Sequence, residues 1–78
     1  MPFNPQKLIA ARGALSQAQA CARIAAVVDK PVYQQLYSRW EQGESAPSAE
    51  YLEALAQVFG ITIDSLFDHN GDDAEVAL

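Results

Sequence analysis

The chain has 78 residues, half of them apolar, and a net charge of −5, which leaves room for one small packed domain. One cysteine, Cys21, and one histidine, His69, exclude an intrachain disulfide and a structural zinc site, which needs four such ligands. No apolar run approaches the ~20 residues of a membrane span. Met1-Pro2-Phe3-Asn4-Pro5 has no basic segment leading into an apolar run, so no signal peptide is expected and the expected location is cytoplasmic.

Apolar spacing is helical almost throughout. Pro5 suits a first helical turn, Leu8, Ile9 and Arg12 follow, and Gly13 is placed to stop that helix. Ser16 then reads as the N-cap of a second helix. On it Cys21, Ile24, Ala25 and Val28 fall at i, i+3, i+4 and i+7, one helical face. Asp29-Lys30-Pro31 breaks this helix, because proline disfavours helical geometry in the residue before it.

A third helix is predicted from about residue 32 to 42. Tyr33, Leu36, Tyr37 and Trp40 repeat at i, i+3, i+4 and i+7 and form its apolar stripe. The opposite face carries Gln34, Gln35, Ser38 and Gln42, with Arg39 on its flank. Gly43 ends this helix, and Ser48 is a suitable N-cap for a fourth, striped by Leu52, Leu55, Ala56 and Phe59 and stopped by Gly60. Ile63, Leu66 and Phe67 fit a last short helix opened by Thr62. The expected core is Ile24, Trp40, Leu52, Leu55, Phe59 and Leu66. Residues 1–67 form the expected domain, and 68–78 an acidic, flexible tail.

The negative charge argues at first against a polyanionic partner, but its distribution does not. Lys7, Arg12, Lys30, Arg23 and Arg39 balance Asp29, Glu41, Glu44, Glu50 and Glu53 within residues 1–60. The excess comes from Asp64, Asp68, Asp72, Asp73 and Glu75. An acidic end is compatible with a locally positive binding face.

Three segments stand in a telling order. They are Leu15-Ser16-Gln17, then Tyr37-Ser38-Arg39-Trp40-Glu41-Gln42-Gly43, then Pro47-Ser48 with Tyr51-Leu52, Leu55-Ala56 and Phe59-Gly60-Ile61. Together they resemble the Cro/CI-like (phage repressor, XRE-type) helix-turn-helix family over about residues 5–67. The resemblance implies an all-α, five-helix lambda-repressor-like domain. In this chain the segment from helix two to helix three is lengthened by roughly six residues, a departure from the short turn of the motif. The extra length is expected around Ala25 to Pro31.

The resemblance further implies a sequence-specific transcriptional regulator, a repressor, that binds double-stranded DNA as a homodimer with the third helix in the major groove. Gln17 would contact the phosphate backbone from the first turn of helix two. Gln34 and Gln35 match base-facing positions, since glutamine can bond adenine at N6 and N7. Arg39 would reach guanine or a phosphate, and Ser38 and Gln42 share the same face. Arg12 and Glu41 match an arginine–glutamate pair that joins helix one to the end of helix three. The dimer surface is expected around Ile63 and Phe67.

Cys21 reads as a small buried hydrophobe and not a nucleophile; Tyr37 and Trp40 read as core. No metal-ligand spacing, nucleophile motif or phosphate-binding glycine loop is present, so no enzyme, cofactor, metal or small-molecule substrate is expected. The alternative reading is an antitoxin-like protein-interaction module with secondary DNA contact, which the overall acidity favours.

Overall fold

The computed structural model describes residues 2–68. Four α-helices are followed by a 3₁₀ turn: α1 (Pro5–Arg12), α2 (Gln17–Val28), α3 (Gln34–Gln42), α4 (Ala49–Phe59) and the turn Ile63–Leu66. The chain is thus all-α, as expected, with the last helix reduced to one tight turn.

Local chemistry sets most of the helix ends. Asn4 caps α1 by accepting the Gln6 N–H, with Pro5 in the first turn. Ser16 opens α2 with a reciprocal capping box: its hydroxyl accepts the Gln19 N–H at 3.0 Å, and the Gln19 side chain accepts the Ser16 N–H at 2.9 Å. α2 runs on to Val28 and stops at Asp29, which adopts the left-handed conformation at φ 59°. Aspartate tolerates this geometry better than most residues with a β-carbon. The stretch where extra length was expected, Ala25 to Pro31, thus spans the end of α2 and the start of the connection 29–33. Gly43 ends α3 at φ 78°, and a Cβ there would also lie 3.3 Å from the Pro5 ring, so both backbone and space favour glycine. Ser48 stands at the N-cap position of α4 without a side-chain cap bond.

α2 packs against α4 and α3, α1 against α3, and the 3₁₀ turn against α1 and α4. The side chains buried between them are Leu8, Ala20, Cys21, Ile24, Tyr37, Trp40, Ala54, Leu55 and Leu66. Trp40 is the largest, and its ring lies 5.6 Å from that of Tyr37 and 5.1 Å from that of Tyr51. Leu52 and Phe59, expected in the core, are half-buried and pack on its edge. Periodicity identifies the inward stripe of α4, but only the placement of α2 and the 3₁₀ turn decides which part is fully covered.

One connection has no local sequence signal. Phe3 and Phe67 form an isolated antiparallel bridge, and their rings meet edge-on at 6.0 Å. Asn4 N–H donates to the Leu66 carbonyl at 2.8 Å and Asp68 N–H to the Pro2 carbonyl at 2.9 Å. Asn4 Nδ2 donates to the Asp68 carboxylate at 2.6 Å, and Lys7 Nζ to the Phe67 carbonyl at 2.8 Å. This clasp joins the two ends of the helical body and includes Asp68, the first residue of the expected tail. The rest of that tail, with His69, lies outside the described residues.

Candidate nucleic-acid interface

The third helix begins two residues later than expected. Tyr33 is its N-cap in extended geometry (φ −85°, ψ 142°), not part of its apolar stripe. Only Leu36, Tyr37 and Trp40 of that stripe face inward, whereas Tyr33 is 70% exposed. Spacing of i, i+7 puts two residues on one face only when both lie inside the helix. The outer face behaves as the polar pattern predicts: Gln34, Gln35, Arg39 and Gln42 are exposed and Ser38 is half-buried. Gln42 Nε2 donates to Ser38 Oγ at 3.0 Å across one helical turn. Gln35 and Arg39 have no side-chain partner among the described residues.

Beneath this face lies a charged knot. Glu41 is buried, at 8% exposure. Arg12 donates to it twice, Nε to Oε2 at 2.6 Å and a terminal nitrogen to Oε1 at 3.1 Å. Arg12 also donates to the Leu15 carbonyl at 2.8 Å, so one guanidinium binds α1, the α1–α2 turn and α3 together. This two-pronged geometry is the strong form of the pair. Burial alone would raise the Glu41 carboxyl, but hydrogen bonds from Arg12 and Gln17 hold it below the ordinary carboxylate value. The Tyr37 hydroxyl is buried beside the knot, and no hydrogen bond of sound geometry reaches it. Burial and the neighbouring Glu41 charge push its ionisation far up.

Gln17 belongs to this knot as well as to the start of α2. Its Nε2 donates to Glu41 Oε1 at 2.9 Å, and its Oε1 accepts from Gln34 Nε2 at 3.3 Å. A chain of side chains therefore runs Arg12–Glu41–Gln17–Gln34 from the interior to the exposed start of α3. Each glutamine Nε2 carries two hydrogens. Gln17 thus keeps a second N–H for an outside acceptor, and Gln34 keeps a second N–H and its carbonyl oxygen. The family resemblance marked Gln17 and helical spacing marked Gln34; their bond crosses from one helix to the next and has no local signature.

The cations are unevenly committed. Lys7 pairs with Asp68, Arg12 with Glu41 and Lys30 with Glu50. Lys30 also lies 5.3 Å over the Tyr51 ring, tying the 29–33 connection to α4. Arg23 and Arg39 have no acidic partner among the described residues. No group of three or more His, Cys, Asp or Glu that could hold a metal occurs among the described residues, and no helix there is long and apolar enough to cross a membrane.

Two successive helices joined by the 29–33 connection, the second presenting polar side chains outward, have the arrangement of a helix-turn-helix domain. The helix-turn-helix family model matches residues 8–66, and the chain belongs to that family, the XRE type that includes the Cro and CI repressors. It is a DNA-binding transcription regulator of this type. No curated protein and no solved structure matches it.

Proposed function

We propose that the chain is a sequence-specific repressor, located in the cytoplasm, that binds duplex DNA as a homodimer with α3 in the major groove. It has no catalytic role and needs no cofactor. The observation that carries this reading is the outer face of α3, where Gln34, Gln35, Arg39 and Gln42 stand exposed above a knot that fixes the helix from below. Gln34 and Gln35 are assigned to base edges, where a glutamine pairs with adenine through one N–H and its carbonyl oxygen. Ser38 and Gln42 support them or reach the backbone. Gln17 takes a phosphate through its second N–H, and Arg39 takes a guanine or a phosphate.

Gln35→Ala is expected to cost about 1–3 kcal/mol at the best site selected from random DNA and to leave random-duplex binding nearly unchanged. Gln17→Ala should weaken both, because a phosphate contact is indifferent to sequence. Arg39→Ala should do some of each. The measurement is affinity for selected and random duplexes at one salt concentration. An unchanged specific-to-random ratio in both Gln34→Ala and Gln35→Ala would remove these residues from base readout. With only Arg23 and Arg39 free of an acidic partner among the described residues, the salt dependence on random DNA should be shallow. Its complete absence would favour the protein-interaction reading that the acidity suggests.

The homodimer is assigned to the side carrying Ile63 and Phe67, both half-buried. A domain this small buries little of its own surface, and two-fold symmetric sites are usual for this motif. Sedimentation at micromolar concentration should show a dimer that Ile63→Asp dissociates. A monomer in the unmodified chain, occupying a single half-site on DNA, would refute it.

A further inference from the structure

Tyr33 is the most exposed large apolar residue among the described residues, at 70% against 41% for Val27. Leaving so large a ring in water forgoes the gain of burying its apolar surface. The ring does not stand out because the chain around it is loose. Val32, just before it, packs against the core. The Tyr33 carbonyl accepts the Tyr37 N–H at 3.1 Å as the first turn of α3 closes. Backbone on both sides is thus anchored, and the extended N-cap geometry directs the side chain away from the helical stripe. The ring takes part in none of the aromatic or cation–π contacts that join Trp40, Tyr37, Tyr51 and Lys30. It is the immediate neighbour of Gln34 and Gln35, at the same end of the same helix.

An aromatic ring presented beside two base-reading amides has one apolar feature to meet in the major groove, the 5-methyl group of thymine. We propose that Tyr33 is a specificity-determining residue that packs its ring on a thymine methyl adjoining the base pairs read by Gln34 and Gln35. This rests on the reading of α3 as the recognition helix. Glutamine amides select adenine, and an apolar contact next to them extends the preference to a neighbouring A·T pair in a defined orientation. The partner is therefore a duplex with consecutive A·T pairs in its half-site.

The test uses the full chain and the site it selects, with each thymine replaced in turn by deoxyuridine, which removes only the methyl group. The unmodified protein should lose about fourfold in affinity at one position, the worth of one buried carbon. Tyr33→Ala should bind the thymine site roughly tenfold more weakly and become indifferent to deoxyuridine at that position. Tyr33→Phe should behave as the unmodified protein in both respects. The melting temperature of each variant should be unchanged, because the ring is outside the core. Selected-site binding that ignores every deoxyuridine overturns the inference and leaves α3 as the reading helix. So does a deoxyuridine effect that persists in Tyr33→Ala. A Tyr33→Phe variant as weak as Tyr33→Ala overturns it too, since the hydroxyl would then be the contact. No binding to any duplex overturns the DNA reading and the inference with it.

Discussion

Glu41→Gln is expected to destabilise the fold by about 3 kcal/mol, the lower end of the range for breaking a buried ion pair. The lower end applies because Arg12 keeps 21% of its side chain exposed while Glu41 keeps 5%, so water can partly solvate the cation left behind. In a domain whose total stability is on the order of 5 kcal/mol, that loss shows plainly in a urea titration. Replacing both partners, Arg12→Met with Glu41→Leu, should recover much of it, because no unpaired charge remains. A single-variant loss below about 1 kcal/mol would mean that the knot contributes little. The same residue fixes the acid response. Glu41 is held below its ordinary value in the folded chain, so its contribution is fully present above the unfolded carboxylate pKa of about 4.3. It is lost as the pH falls through the lower folded value. Between those values the unmodified chain should lose stability more steeply than Glu41→Gln.

Leu55→Ala should cost about 2–5 kcal/mol. Leu55 is completely buried on α4, the helix that packs against α2 and the 3₁₀ turn, and deletion leaves a cavity that rigid helices fill only in part. Leu52→Ala, one turn earlier and half-buried, should cost visibly less. Equal losses in the two variants would contradict the described division between core and edge. A Leu55→Ala loss well under about 1 kcal/mol would contradict its burial outright.

The elements, their order and most of their ends follow from the amino-acid sequence alone. Pro5, Ser16, Gly43, Gly60 and Thr62 act on the few residues beside them, and a first-turn proline, a cap or a left-handed stop is a local event. The polar outer face of α3 was legible for the same reason, since residues three and four apart share a side once the helix is granted. Tyr33 escaped this logic because it lies one residue outside the helix, where periodicity no longer binds the side chain. Pro31, two residues before it, was the available hint that regular geometry had not yet resumed.

The tertiary structure decided what depends on distant residues meeting. The clasp of Phe3 and Asn4 with Phe67 and Asp68 brings together groups separated by most of the chain. The pairing of Arg12 with Glu41 was implied only by family resemblance, and the entry of Gln17 into that knot was not implied at all. Ser16-Gln17 at a helix start leaves the glutamine amide free to bond solvent, a phosphate or a carboxylate. Which of these it bonds depends on α3 laying Glu41 and Gln34 beside it. A hydrogen bond between helices is short-ranged and directional, so it appears only when packing has set the helices to within a fraction of an ångström.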